Sequence, residues 1–235
     1  IHRSVLPSDE GEVGRRRAFV VSCLESGVIG MRSIYVENLG CSKNQVDAEV
    51  MVACLGDTFV LTEEAAEADL ILVNSCGFIQ SAREESVEAF FSLHDANPTA
   101  KIILSGCMAE RYRDELASEL TEAAAIFGNR DLSRIREVVD RVFAGERIVS
   151  TPPYGDVEND VYERNELFNY PGSAYLKISE GCNHRCSYCA IPLIRGNLRS
   201  RPMEQIIAEA KDLVRSGIKE INLIAQDLAA YSTDR

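Results

Sequence analysis

The stretch that decides the fold is DLILVNSC, residues 69–76, an apolar run that ends in Asn, Ser and Cys. An apolar run without alternation is typical of a strand that is buried on both faces, as in a parallel sheet. The stretch AKIILSGC, residues 100–107, repeats the pattern one helical segment later. Two such strands separated by a helical segment indicate a parallel sheet covered by helices.

Strand-like and helix-like segments alternate around these two strands. Further strands are expected in SIYVENL (33–39), TFVLT (58–62) and AIFGN (125–129). Helices are expected in KNQVDAEVMVACLG (43–56), SAREESVEAFFSLHDAN (81–97), AERYRDELASELTEA (109–123) and LSRIREVVDRVFAG (132–145). This alternation predicts an α/β, flavodoxin-like domain over residues 31–145, with helices on both faces of a parallel sheet.

A linker and a second, shorter unit are predicted after this domain. Residues 146–171 contain three prolines and mixed charge, which is typical of a linker. The strand SAYLKIS, the helix SRPMEQIIAEAKDLVRSG and the strand IKEINLIAQD follow, with Ser200 as the expected helix cap and Pro202 in the first turn. One βαβ unit cannot enclose a core, so we expect residues 172–235 to be the start of a truncated (βα) partial barrel.

The first thirty residues lack the periodicity of a helix or a strand, and Met31 directly precedes the first expected strand. We therefore expect residues 1–30 to be a leader that is disordered or non-native. The apolar stretch after Arg15–Arg17 is shorter than the 7–15 residues of an export signal.

Composition narrows the classes of function. The net charge of −12 disfavours a broad nucleic-acid surface, because phosphate contacts require clustered Lys and Arg. No apolar run approaches the roughly 18 residues that would cross a membrane. The chain has eight cysteines but is too large and helix-rich for a disulfide scaffold. We therefore expect a cytoplasmic protein whose reduced thiols bind metal or take part in catalysis.

Three cysteines, here called the sheet-edge triplet, each follow an expected strand: Cys41, Cys76 and Cys107. Because the ends of parallel strands share one edge of the sheet, we expect these thiols to lie near one another at the edge that binds ligands. The alternative is that each is a small buried apolar residue. Cys54 lies inside an expected helix beside Met51 and Leu55, so we predict that it belongs to the core.

A second set, here called the loop triplet, lies within CNHRCSYC, residues 182–189. Four cysteines close a zinc or iron–sulfur site, whereas the three cysteines Cys182, Cys186 and Cys189 leave one coordination position open. An open iron can be chelated by a cofactor. The alternative is a zinc site in which His184 supplies the fourth ligand.

The motif CNHRCSYC resembles the CxxxCxxC signature of the radical S-adenosylmethionine (SAM) enzymes, including an aromatic residue, Tyr188, before the third cysteine. The stretches LGCSKNQVDAE, VNSCGFIQSAREES, LSGCMAERY and RSRPMEQIIAEA resemble the methylthiotransferases of that superfamily. Within this family GCSKN and SCGFI are similar to the RimO branch, which modifies an aspartate of a small-subunit ribosomal protein at the decoding centre. The MiaB branch, which modifies tRNA, has a different first motif.

The resemblance implies two [4Fe–4S] clusters. The loop triplet would bind one whose open iron chelates SAM, and Tyr188, Gln226 and Asp227 would contact that SAM. The sheet-edge triplet, in the N-terminal methylthiotransferase domain, would bind an auxiliary cluster that presents sulfur. The first cluster would cleave SAM to a radical that removes hydrogen from the aspartate β-carbon, and a second SAM would supply the methyl group.

The resemblance also implies partners: the ribosome or its small-subunit protein as substrate, and an electron donor such as flavodoxin or ferredoxin. The C-terminal β-domain that holds the substrate in this family is missing from the sequence, so we expect the chain alone to be inactive. Two alternatives stay open: a tRNA methylthiotransferase of the MiaB type, which the acidic charge disfavours, and a non-catalytic iron–sulfur or zinc protein. Arg195, Arg199 and Arg201 either tune a cluster or are solvated charges.

Overall fold

The first sheet is built from short apolar strands that all run in one direction. The computed structural model describes residues 31–151, 163–169 and 171–235. Within these residues the sheet has six strands: β1 (Arg32–Asn38), β2 (Phe59–Leu61), β3 (Leu70–Ser75), β4 (Lys101–Gly106), β5 (Ala125–Phe127) and β6 (Ile148–Ser150). Their spatial order is β2-β1-β3-β4-β5-β6, and every neighbouring pair is parallel. The predicted α/β class with a flavodoxin-like parallel sheet is confirmed.

The helices of this region cover both faces of the sheet. They are α1 (Ser42–Leu55), α2 (Gln80–Ala96), α3 (Cys107–Arg111), α4 (Arg113–Glu119) and α5 (Ile135–Phe143). Leu70 and Leu72 of β3 belong to a core cluster that includes residues of α1 and α5. Ile71 and Val73 belong to a second cluster, with residues of α2, α3 and α4. All six residues of β3 are buried. Because each fully buried Leu, Ile or Val side chain contributes about 1.5–3 kcal/mol, an apolar run favours this central position.

The second region contains the predicted βαβ unit. Strand β7 (Ser173–Lys177) is parallel to β10 (Glu220–Ile224), and α7 (Met203–Arg215) connects them. Three short elements lie between β7 and α7: β8 (Ser179–Glu180), α6 (Ile191–Arg195) and β9 (Arg199–Ser200). Strands β8 and β9 form an antiparallel pair that closes the base of the cysteine loop. The sequence patterns did not predict these three elements.

One helix differs from its prediction. The segment predicted as one helix over 109–123 is two helices, separated at Tyr112, whose φ of −119° and ψ of 33° are not helical. The Tyr112 hydroxyl accepts a hydrogen bond from Arg83 Nη1 at 2.8 Å, and the Arg83 guanidinium lies 5.0 Å from its ring centroid. These contacts with α2 favour the break over the helical propensity of the segment.

The predicted cap of α7 was wrong. The helix begins at Met203 after Pro202, and no side chain caps it. Ser200 lies in β9, where its hydroxyl donates to Asp234 Oδ1 at 2.5 Å and its amide to Asp234 Oδ2 at 2.9 Å. The side chain of Ser200 therefore fixes the segment after β10 rather than the start of the helix.

The segment predicted as a linker contains the sixth strand. Ile148 pairs with Ala125 and is buried, as is Ser150. The division of the chain into domains at residues 146–171 stays a prediction, as does a leader over 1–30, which with Cys23 lies outside the described residues. No helix in the described part of the chain is long and apolar enough to cross a membrane.

Candidate functional site

The sheet topology brings the sheet-edge triplet to one place. Cys41 lies between β1 and α1 and occupies the cap position of that helix. Cys76 follows β3 directly, and Cys107 follows β4 as the first residue of α3. Strands β1, β3 and β4 are neighbours in the sheet and end at the same edge. The three thiols therefore share the carboxyl edge, where open α/β sheets bind ligands.

Gly40 allows the first two segments of this site to approach closely. Its φ of +94° lies in the left-handed region, and a Cβ at this position would stand 2.9 Å from Cβ and 3.3 Å from Sγ of Cys76. Any larger residue would therefore push Cys41 and Cys76 apart. The absent side chain lets the Gly40 backbone lie directly against Cys76 and Asn44.

Asn44, which is fully buried, links the ends of all three strands. Its Nδ2 donates to the carbonyl oxygens of Leu39, at 3.0 Å, and Ser75, at 2.9 Å. Its Oδ1 lies 3.3 Å from Sγ of Cys107. One amide side chain thus fixes the spacing of the segments that carry the thiols. The sequence patterns did not predict this role; the position of Asn44 three residues after Cys41 was the available signal.

The thiols of the sheet-edge triplet differ in exposure. Cys41 is exposed and Cys76 is half-buried. Cys107 is buried, and its burial raises the pKa of the thiol, although the neighbouring Arg195 guanidinium opposes the shift. Nη2 of Arg195 donates to Sγ of Cys107 at 3.2 Å. The buried member of the triplet therefore has a cation as its hydrogen-bond donor.

The loop triplet is held by local backbone geometry. The amide of Cys189 donates to the carbonyl of Cys186 at 3.0 Å, and the amide of Cys182 donates to the carbonyl of Gly196 at 3.1 Å. Gly181 has a φ of +76°, and a Cβ there would stand 2.0 Å from the carbonyl oxygen of Asn197. Only glycine fits at this base of the loop. Cys186 is exposed, whereas Cys182 and Cys189 are half-buried.

The chemistry of the two triplets fits iron–sulfur clusters. Within the described residues, no three His, Cys, Asp or Glu side chains form a group that could hold a metal ion. A four-iron cluster binds its cysteines at separate irons, so its ligands stand further apart than those of one ion. Each triplet offers thiols alone, the ligand type that such clusters use. His184, the alternative zinc ligand, instead pairs with Asp227 Oδ2 at 2.9 Å.

The residues predicted to contact SAM lie near the loop with different exposures. Nε2 of Gln226 donates to Oε1 of Glu180 at 2.5 Å, while its buried Oε1 has no partner among the described residues. Oγ of Ser179 is likewise buried without one. These two oxygens fit the polar groups of a ligand that enters beside the loop. Tyr188 is 85% exposed, so it does not pack beneath the loop. The SAM contacts of Tyr188, Gln226 and Asp227 stay a prediction.

A buried group of charges lies between the two triplets, and no sequence pattern predicted it. Lys177 Nζ contacts Asp47 Oδ1 at 2.6 Å and Glu180 Oε2 at 2.8 Å. Arg195 pairs with the other oxygen of Asp47, and Lys43 lies 3.8 Å from Glu180. Burial lowers the pKa of Lys43 to about 8. Burial alone would raise the pKa of Glu180, but Lys177, Lys43 and Arg195 lower it well below its usual value.

The alternative prediction, that the arginines after the loop triplet are solvated charges, was wrong for two of them. Arg195 and Arg201 are 2% and 3% exposed, and Arg201 pairs with Glu209 Oε2 at 2.6 Å. Arg199 Nη1 donates to the carbonyl of Arg195 at 3.1 Å. Arg195 contacts the sheet-edge triplet rather than the cysteines that precede it in the sequence.

Comparisons with known proteins match both regions of the chain. Residues 33–128 match the uncharacterized protein family UPF0004, and residues 176–232 match the radical SAM superfamily. The chain is 46% identical over 204 residues to the ribosomal protein uS12 methylthiotransferase RimO of Treponema denticola, covering 83% of this chain and 43% of that protein. It is 45% identical to the protein of the same name from Syntrophomonas wolfei, covering 84% of this chain and 46% of that protein.

Over 83% of its length the chain is similar to a protein named as a methylthiotransferase, and its C-terminal region matches the radical SAM superfamily.

A further relative matches over the same extent. The RimO protein of Microcystis aeruginosa is 42% identical over 205 residues, which cover 86% of this chain and 46% of that protein. The chain therefore spans a little less than half the length of the curated relatives it matches. These matches confirm the resemblance found in the sequence motifs, while the ligand roles of the six cysteines stay a prediction.

Proposed function

We propose that this chain is part of a radical SAM methylthiotransferase that adds a methylthio group to the β-carbon of an aspartate in ribosomal protein uS12. The observation that carries the proposal is the pair of cysteine triplets, one at the edge of a parallel sheet and one in a CxxxCxxC loop. The relatives named uS12 methylthiotransferase support the substrate.

The loop triplet holds a [4Fe–4S] cluster in this proposal. When bound, this cluster binds SAM at its open iron and supplies the electron that splits SAM into methionine and a 5′-deoxyadenosyl radical. Cys182, Cys186 and Cys189 are the ligands, and Gly181 and the β8–β9 pair fix the base of their loop. The unpartnered oxygens of Ser179 and Gln226 accept hydrogen bonds from donor groups of SAM. Asp227 orients His184 at the loop surface.

The sheet-edge triplet holds the second [4Fe–4S] cluster, which supplies the sulfur for insertion. Cys41, Cys76 and Cys107 are its ligands, and Asn44 sets their spacing. The exposed Cys41 leaves this site open to solvent on one side. In this proposal the aspartate of uS12 approaches from the solvent side, where Cys41 of one triplet and Cys186 of the other are exposed. We place the reaction in the cytoplasm, with flavodoxin or ferredoxin as electron donor.

The decisive experiment incubates the full-length protein anaerobically with SAM, a reductant, and either ribosomes or bulk tRNA. Mass spectrometry then locates the added methylthio group. The proposal expects this mass on one aspartate of uS12 and no modified nucleoside. A methylthiolated nucleoside in tRNA would replace the substrate assignment by the MiaB alternative and leave the chemistry intact.

Iron content and SAM cleavage test the chemistry independently of the substrate. The reconstituted protein should hold about eight irons per chain, because each of the two clusters contains four. It should release 5′-deoxyadenosine under reducing conditions. A protein that binds zinc, or that binds iron and never cleaves SAM, would instead be a structural or electron-transfer protein.

A further inference from the structure

The side chain of Arg195 connects the two cysteine sites. It belongs to α6, the short helix that begins two residues after Cys189 of the loop triplet. Nevertheless its guanidinium reaches the other site, where Nη2 donates to Sγ of Cys107 at 3.2 Å and to Oδ1 of Asn44 at 2.7 Å. The same nitrogen thus contacts a thiol of the sheet-edge triplet and the amide that spaces that triplet.

The position of this guanidinium is fixed on every side that the structure describes. Asp47 of α1 pairs with Nη1, and with its oxygen facing Arg195 the Asn129 amide accepts from Nε at 3.2 Å. Ile194, the preceding residue, packs in a buried apolar cluster with Cys107. Arg195 is 2% exposed, so the cation acts in a medium that screens charge weakly. A buried cation this close to a sulfur affects the electron density of that sulfur.

We propose that Arg195 is a positioning residue for the sheet-edge cluster, donating to the Cys107 sulfur and thereby tuning that cluster rather than the cluster of its own loop. The inference rests on the proposed assignment of a cluster to Cys41, Cys76 and Cys107. Hydrogen bonds to cluster sulfurs and nearby positive charge raise a cluster's reduction potential, because they stabilise the more negative reduced form. Through α6, any movement of the loop triplet also moves the donor on Cys107.

The competing explanation is that Arg195 is only the buried partner of Asp47. Arg164 provides a matched control for this role. It is also buried, and it also joins α1 to the second region, pairing with Glu49 at 2.5 Å and with Glu209 at 2.5 Å. None of its described hydrogen bonds goes to a cysteine. A purely structural role predicts the same outcome for both arginines.

The experiment measures the two clusters separately in the full-length protein after anaerobic reconstitution. Alanine at Cys182, Cys186 and Cys189 leaves only the sheet-edge cluster, and alanine at Cys41, Cys76 and Cys107 leaves only the loop cluster. Arg195→Met, Arg195→Lys and Arg164→Gln are placed in each background. Iron content, the electron paramagnetic resonance spectrum of the reduced cluster and its midpoint potential are recorded.

We expect Arg195→Met to lower the midpoint potential of the sheet-edge cluster and change its spectrum, and Arg195→Lys to restore part of the shift. The loop cluster should keep its potential and spectrum, and Arg164→Gln should leave both clusters unchanged. Selective loss of iron from the sheet-edge site in Arg195→Met, with Arg164→Gln keeping it, also supports the proposal.

Three results would overturn it: an unchanged sheet-edge potential in Arg195→Met, a shift confined to the loop cluster, or equal iron loss in Arg195→Met and Arg164→Gln. Because Arg195→Met leaves Asp47 with one cation fewer, the double variant Arg195→Met, Asp47→Asn is measured beside it. Loss of the Asp47 charge raises the potential in part, but the double variant should stay below wild type because the hydrogen bond to Cys107 is still missing. A full return to the wild-type potential would also overturn the inference. If the unmodified sheet-edge triplet holds no iron, the proposed function itself fails, which is a separate result.

Discussion

Each of the two cysteine triplets offers three thiols, but tertiary structure sets the geometry of one and local backbone structure sets that of the other. The sheet-edge triplet is assembled from the ends of β1, β3 and β4, and its spacing depends on Asn44 and on the packing of the whole sheet. The loop triplet lies within residues 182–189 and is held by one turn and a glycine. The first site is therefore sensitive to the stability of the fold, and the second to the local backbone.

The strongest test of whether the two triplets have separate roles is to remove each triplet in turn from the full-length protein. Alanine at Cys41, Cys76 and Cys107 should abolish methylthiolation yet leave reductive SAM cleavage measurable, because cleavage requires only the loop cluster. Alanine at Cys182, Cys186 or Cys189 should abolish both. Quantifying 5′-deoxyadenosine and methylthiolated product for each variant checks this. Each set should also halve the iron content. If the sheet-edge variants fold normally but release no 5′-deoxyadenosine, the two sites do not have separate roles.

The next largest effect is expected from Asp47→Asn, which removes the carboxylate at the centre of the buried ion pairs between the triplets. Asp47 binds both Lys177 and Arg195 in a buried setting. Removing one partner of a buried ion pair costs about 3–5 kcal/mol of folding free energy, because the other charge stays buried. Urea unfolding followed by circular dichroism measures the change, with the exposed Asp57→Asn as control. A loss below about 1 kcal/mol, as for a surface pair, would mean that the junction does not hold the two regions together.

Leu72→Ala tests whether the sheet-edge site depends on sheet packing. The side chain is 1% exposed in the centre of β3, and a buried Leu-to-Ala change costs about 2–5 kcal/mol. On warming, iron bound to the sheet-edge triplet should be lost at a lower temperature, while iron at the loop triplet persists longer. The control is Leu193→Ala, which removes an exposed leucine beside the loop. Loss of iron from both sites at the same temperature would show that the two sites are lost in one unfolding event.

Gly181→Ala is the reciprocal, local perturbation. Gly181 has a φ of +76°, and an added Cβ would stand 2.0 Å from the carbonyl oxygen of Asn197. The base of the loop must therefore shift in this variant. A strained backbone of this kind costs about 1–3 kcal/mol, less than the core change. We expect the loop triplet to lose iron and SAM cleavage to fall, while sheet-edge iron stays at the wild-type level. Gly217→Ala, in a turn with nothing within 4 Å, is the control for positive φ alone.

The smallest effect is expected at a cysteine that belongs to neither triplet. Cys54 packs against the core cluster beneath α1, as predicted. Cys54→Ala should leave iron content and both activities unchanged and cost about 1 kcal/mol of stability, the usual effect of a single substitution. We expect Cys23→Ala also to leave iron content unchanged. Loss of iron in Cys54→Ala would contradict the division of the cysteines into ligands and core residues.

The sequence predicted the sheet-edge arrangement well because its determinants are continuous apolar runs that each end in a cysteine. Apolar runs mark β3 and β4, and parallel topology then fixes where Cys76 and Cys107 must lie. The helix break at Tyr112 was not predictable, because it depends on Arg83 of another helix. Strand β6 was missed since three residues within a charged, proline-rich segment give no periodic signal.

The polar connections between the triplets could not be predicted for a related reason. Asp47, Lys177 and Arg195 lie far apart in the sequence. Each is of a charged residue type that is usually exposed at the protein surface. Only the packing of β7 against α1 and of α6 against α3 reveals that they are partners. The loop triplet itself was recognisable because all its ligands lie in one short motif.

The uneven exposure of the sheet-edge triplet gives that site a front and a back. Cys107 lies behind, covered by Ile194 and held by Arg195, whereas Cys41 faces outward. A cluster seated there would be most accessible from the Cys41 side. Iron arriving during maturation, an incoming sulfur carrier and damaging oxygen would all reach the cluster most easily from this side. A partner or segment that covers the Cys41 side would then protect the most accessible part of the mature site.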